Sequence, residues 1–191
     1  FEQTVRGLLE ASTRSMALQD YEFASSAGAF YACNGILRGF ELGSLKRTIS
    51  EQINHVDKHG HVTGVNIQFF VLQIVSSLLA QPVEDNQVHE GAQSISAGDD
   101  HLAQACVYTL RLYYAVLFND FAGATTVAKL ADEYHETLRT SPLQSIYMLS
   151  RGLAAARSTP AETDVLQTTL CWLRNTHRRG AAFAEPKVLL L

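Results

Sequence analysis

Asp20-Tyr21-Glu22-Phe23-Ala24-Ser25-Ser26-Ala27-Gly28-Ala29-Phe30-Tyr31-Ala32-Cys33-Asn34-Gly35-Ile36-Leu37-Arg38-Gly39 reads as one helix with its own start and stop. Phe23, Ala24, Ala27, Phe30, Tyr31, Asn34 and Leu37 recur every three or four residues, the spacing of a helix that buries a stripe. Asp20 is a fitting N-cap, and Glu22 adds negative charge where the helix dipole favours it. Gly39 lies near its end.

The same reading extends along the chain. A second helix is expected over 42–58, with Leu45, Ile49, Ile53 and Val56 on one face and a Lys58-His59-Gly60 ending. A third runs over 63–80 to a stop at Pro82, and a weaker fourth over 83–96. Asp99-Asp100 cap a helix through Tyr108, Leu112 and Val116. Asn119-Asp120 then break it before a helix over 121–138. Pro142 opens a helix through Ile146 and Leu153, and Pro160 opens the last, through Val165, Leu170 and Leu173. No stretch alternates like a strand, so the fold class is all-α: eight or nine antiparallel helices in pairs, an α-α superhelix over 1–180 with a tail at 181–191.

The resemblance between the Asp20 and Asp100 helices, each followed by a second amphipathic helix, suggests an internal repeat of about 80 residues built from two helix pairs. Small residues at Ala24, Ala27, Gly28, Ala103 and Ala105 allow close helix approach, and Phe30, Tyr31, Tyr108, Tyr113 and Tyr114 fill wider gaps.

Composition excludes several classes of function. The 191 residues are 47% hydrophobic and 18% charged, which suits a filled core. A net charge of −4 gives no field to gather nucleic acid or an anionic membrane. No apolar run approaches the length of a membrane span. The chain starts on Phe1, as a processed or partial chain would, and its first ten residues lack a secretory signal. Cys33, Cys106 and Cys171 have no CxxC spacing and read as buried, reduced thiols of a cytoplasmic protein.

Residues 18–52 and 99–157 resemble the helical-repeat region of very large sensor proteins, on Asp20-Tyr21-Glu22-Phe23-Ala24, Gly39, Asn119-Asp120-Phe121 and Ser150-Arg151-Gly152-Leu153-Ala154. These proteins join a kinase-like domain, an AAA-type ATPase, a tetratricopeptide-like region, a GAF domain and a histidine kinase. Past Trp172 the family continues into a basic segment, whereas this chain carries Arg178-Arg179-Gly180-Ala181 and ends in Val188-Leu189-Leu190-Leu191. The resemblance implies a non-catalytic protein-interaction scaffold whose partner is a protein or a neighbouring domain. A phosphate-binding GxxxxGK loop, HRD, DFG and a nucleotide lid are all absent from the sequence, so no catalytic residue, cofactor or metal site is assigned.

Three clusters invite chemistry. Tyr134-His135-Glu136-Thr137-Leu138-Arg139-Thr140-Ser141-Pro142 imitates a phosphoacceptor box, but its spacing to the proline is two residues too long. His55, His59 and His61 with Asp57, and Asp132 with His135 and Glu136, read as solvated helix-end side chains rather than metal ligands. Arg174, His177, Arg178 and Arg179 read as a solvated basic helix end. A partner groove lined by the first helix of each pair would present Tyr31, Asn34, Arg111 and Tyr114. Two other readings stand beside this one: a free-standing helical adaptor, and an all-helical enzyme with a site of scattered acids and histidines.

Overall fold

The computed structural model describes residues 2–56, 62–80, 100–139, 141, 143–158 and 160–178. Among them are eight α-helices and no strand: α1 (Glu2–Ala17), α2 (Tyr21–Arg38), α3 (Leu42–Val56), α4 (Val62–Leu78), α5 (His101–Leu117), α6 (Phe121–Tyr134), α7 (Leu143–Arg157) and α8 (Thr163–Arg178). The helix expected at 83–96, the Lys58-His59-Gly60 ending, His61 and the tail at 181–191 lie outside the described residues. The chain divides into two compact units, Phe1–Ala103 and Gln104–Leu191.

In the first unit α2 is the central element. It packs on α1, α3 and α4, and α3 packs on α4. Its buried residues are mostly small: Ala24, Ala27, Gly28, Ala29, Ala32, Cys33 and Gly35. That lets neighbouring backbones come close. A Cβ on Gly64 of α4 would lie 2.6 Å from the Ser25 carbonyl carbon, and one on Gly35 would lie 2.6 Å from Leu45 Cδ1. Leu45, Ile49, Ile53, Leu72 and Ile74 complete the core. A few polar groups are buried with it. Ser12 Oγ donates to Ala24 O at 2.9 Å, and Gln68 Nε2 donates to Ser25 O at 3.1 Å.

The capping expectation at Asp20 is met, and the helix ends at Gly39 as expected. Asp20 accepts from the Phe23 amide at 3.2 Å, and Gly39 takes φ +67°. The inward stripe is not the expected one. Phe23 is 55% exposed and Phe30 39%, because a helix covered on three sides turns its small residues in and its largest ones out. Helix α1 is an addition, since the sequence reading begins at Asp20. Its Val5 and Ser12 are buried, and Ser12 ties it to α2 through the bond to Ala24 O.

In the second unit α6 packs on α7, and α7 on α8. Ala124, Ala128 and Ala131 of α6, Leu143, Ile146 and Ala154 of α7, and Leu173 of α8 are buried. Asp100 caps α5 as expected, accepting from Ala103 N at 3.0 Å, and Asp120, expected only as part of a break, caps α6 by accepting from Gly123 N at 2.9 Å. Helix α6 ends earlier than expected. It gives way at His135–Leu138 to a 3-10 turn, with Thr137 Oγ1 donating to Tyr134 O at 2.8 Å. The last helix starts at Thr163, not at Pro160. Ser158 Oγ holds the intervening turn by donating to Pro160 O and accepting from Glu162 N.

The repeat is longer than the sequence suggests. Between α1 and α2, Gln19 has φ 61°, and the Asp20 amide donates to Ser15 O. Between α5 and α6, Asn119 has φ 58°, and the Asp120 amide donates to Ala115 O. Both are Schellman endings that run directly into an aspartate cap. The caps match as well, at φ −88°, ψ 76° for Asp20 and φ −81°, ψ 73° for Asp120. They stand 100 residues apart, and Leu42 and Leu143 open the next helices 101 apart. The repeating element is therefore a four-helix unit of about 100 residues. Overlooking α1 paired α2 with α5, when its counterpart is α6.

Candidate functional site

The most elaborate polar arrangement lies in the second unit, where three elements meet around Arg151. Asp132 stands near the end of α6. Tyr147 and Arg151, four residues apart, share one face of α7. Glu162 precedes the first turn of α8. Asp132 Oδ1 accepts from the Tyr147 hydroxyl at 2.7 Å and from Arg151 Nε at 3.0 Å, and Oδ2 lies 3.1 Å from the same Nε. Arg151 Nη2 donates to Glu162 Oε2 at 2.5 Å. The Arg151 side chain is 8% exposed, against 37% for Asp132 and 34% for Glu162. A buried cation thus links two acids that reach solvent.

His135 completes the group. Its Nδ1 is 2.8 Å from Asp132 O, and its ring stacks on Tyr147 with centroids 5.0 Å apart. Tyr134 stacks on Tyr108 of α5 at 5.9 Å. Glu136 pairs with Arg139 at the surface. Asp132 and His135 are therefore packed members of a network, not the solvated helix-end pair that local sequence suggests. The residues that reveal this, Arg151 on α7 and Glu162 just before α8, come later in the chain.

The chemistry open to this cluster is narrow. Burial raises the Tyr147 phenol far above its ordinary value, and its hydrogen bond to Asp132 acts in the same direction. Burial works to lower the Arg151 value, but the bonds and charges of Glu162 and Asp132 outweigh it, so the guanidinium stays charged. The phenol, the two carboxylates and Arg151 Nε and Nη2 are committed to one another, which describes a clamp joining α6, α7 and the start of α8, while Arg151 Nη1 is buried without a hydrogen-bond partner. The first unit dispenses with it. Ala32 stands 100 residues before Asp132, and Lys46 stands 101 before Tyr147.

No group of three or more His, Cys, Asp or Glu among the described residues could hold a metal ion. His55 Nδ1 is 2.6 Å from Glu51 O, a contact within its own helix. Cys33 and Cys106 are buried as expected, but Cys171 is exposed on α8. Arg174 and Arg178 are exposed on that helix too. No helix among the described residues is long and apolar enough to cross a membrane.

The four groove positions fare differently. Tyr31 is only 8% exposed and packs edge-on against Phe40, so it presents little surface to a partner. Asn34 is partly exposed, with Nδ2 donating to Phe30 O at 2.8 Å. Arg111 and Tyr114 of α5 are both exposed. The Tyr114 ring lies 4.6 Å from Phe118, which is 43% exposed. Phe118 escaped the sequence reading although its spacing of four from Tyr114 places it on the same helix face.

No family model, curated protein or solved structure matches the chain.

Proposed function

We propose that the chain is a non-catalytic protein-interaction scaffold, a tetratricopeptide-like superhelical segment of a cytoplasmic signal-transduction sensor of the kinase and ATPase class. The observation that carries this reading is the α5 face, where Arg111, Tyr114 and Phe118 stand together at the surface. Tyr and Arg are the side chains that most often anchor protein partners, and two adjoining aromatic rings offer apolar area with little conformational freedom to lose. Helices packed as sequential pairs, in a unit that recurs, are in keeping with a stacked-repeat scaffold. The partner on this reading is a protein or a neighbouring domain of the same chain.

Titration calorimetry of the chain against the kinase-like, ATPase and GAF domains encoded in the same reading frame tests it. Binding is expected to weaken at least about tenfold in the triple variant Arg111→Ala/Tyr114→Ala/Phe118→Ala. Equal affinity of wild type and variant for every domain that binds rejects this face. A reading frame without such domains rejects the sensor and leaves the free-standing adaptor.

A further inference from the structure

The two four-helix units share turns, caps and spacing, yet different polar groups are buried in their cores. In the first unit, Gln52 of α3 and Gln68 of α4 are buried against α2 at Gly28. A Cβ added there would lie 2.9 Å from Gln52 Oε1 and 2.9 Å from Gln68 Nε2. Gln68 Nε2 donates to Ser25 O at 3.1 Å and Gln52 Nε2 to Ser12 Oγ at 3.4 Å. Both amide oxygens are buried without a hydrogen-bond partner. The counterpart positions of the second unit, 100 residues on in α6 and 101 on in α7 and α8, carry Ala128, Leu153 and Thr169. A unit of this design therefore packs without the amides, whose unpaired oxygens count against the stability of the first unit.

A repeat is open to an error that a unique fold is not. Helices α3 and α7 hold the same place in their units, and misassembly between like parts is a characteristic failure of repeat proteins. The buried polar groups oppose both exchanges. In the second unit, α3 would bring Gln52 against Ala128, whose Cβ stands at the point that Gly28 leaves open. In the first unit, α7 would bring Arg151 against Ala32 in place of Asp132. A buried guanidinium parted from its acid is strongly destabilising.

We propose that the cluster of Gly28, Gln52 and Gln68 and the clamp at Arg151 make each unit accept its own third helix and reject that of the other. The amides guard the second unit against α3, and Arg151 guards the first unit against α7. Both act by leaving a buried polar group crowded or unpaired in the wrong docking, which is how specificity is gained without a better native contact. The inference rests on the repeat and stands apart from the α5 face.

Two measurements on the full chain test it. In amide hydrogen exchange, Gly28→Ala is expected to raise the opening equilibrium constant of α2 and α4 at least about tenfold, because the new Cβ crowds both amides. In a Gln52→Leu/Gln68→Thr background the same change is expected to raise it less than about threefold. The triple variant Gly28→Ala/Gln52→Leu/Gln68→Thr carries the second unit's residues at all three places, so its α3 fits either unit. After refolding from urea and size-exclusion chromatography, it is expected to yield at least about threefold more dimer than wild type, through exchange of α3 between copies. Equal effects of Gly28→Ala in the two backgrounds overturn the proposal. So does a triple variant that refolds as cleanly as wild type, or one that fails to fold, since the second unit packs these same residues.

Discussion

Asp132→Ala is expected to destabilise the second unit more than Arg151→Met does, although both break the same ion pair. Asp132 accepts the Tyr147 hydroxyl at 2.7 Å and Arg151 Nε at 3.0 Å. Hydrogen bonds to a charged group contribute about 1.5–3 kcal/mol each. With the carboxylate 37% exposed, solvent screening brings the pair of bonds down to about 2–3 kcal/mol in all. The alanine variant also leaves a guanidinium that is 8% exposed with Glu162 as its one remaining acid. Arg151→Met instead frees two carboxylates that are each about one-third exposed and can take up water, while methionine fills the stem's volume, so its cost is about 1 kcal/mol. Urea unfolding followed by the fluorescence of Trp172, the single tryptophan, reports on α8 and hence on this unit. Arg139→Ala serves as the reference, because its surface pair with Glu136 is 70% and 59% exposed and is worth little. The reasoning is refuted if Asp132→Ala costs no more than Arg139→Ala, or if Arg151→Met is the more damaging of the two.

Gly64→Ala is expected to cost about 2–3 kcal/mol in thermal unfolding, because its Cβ would strike the Ser25 backbone, which cannot step aside. Gly7→Ala, in open space on α1, is expected to stabilise by about 0.5–1 kcal/mol. The raised Tyr147 value predicts a loss of stability in alkali. Above the ordinary 10.0 the unfolded phenol ionises while the folded one keeps its proton, so melting temperature falls as pH rises, and less steeply in Tyr147→Phe. At the start of α3, the Glu41 carboxylate value is lowered by the Ser44 side chain and by the amides of Ser44 and Gly43, which donate to it at 2.6 and 2.8 Å. Its contribution is present above the ordinary carboxylate range and lost as pH falls through the lowered value. Wild type is thus expected to melt higher than Glu41→Gln at neutral pH, with the difference vanishing in acid.

Helix ends were the most legible part of this chain, because a cap is written within four residues. Asp20, Gly39, Asp100 and Asp120 stand where local chemistry demands them. Burial was harder to read. Along α2, Ala24, Ala27, Gly28 and Ala32 go inward while Phe23 and Phe30 face out, and a helix enclosed on three sides has no single apolar face for a periodicity to reveal. Helix α1 lacks a proline or a capping aspartate at its start, so nothing local announced it, and its absence put the repeat out of phase. The Arg151 network was beyond local reading for another reason. Its acids lie 19 and 11 residues away in sequence, on elements that only tertiary packing brings together.

The matched turns at Gln19-Asp20 and Asn119-Asp120 also bear on how the chain acquires its structure. Each is closed by backbone and side-chain bonds that span no more than five residues, so it forms without help from distant segments. The entropy of closing such a short loop is small, and helix formation on either side takes on the order of a microsecond. The α1–α2 hairpin and the turn between α5 and α6 are thus the earliest structure expected in the refolding chain. Gln19 and Asn119, the two non-glycine residues held at positive φ in these turns, are then the positions where a substitution alters the rate of folding most directly.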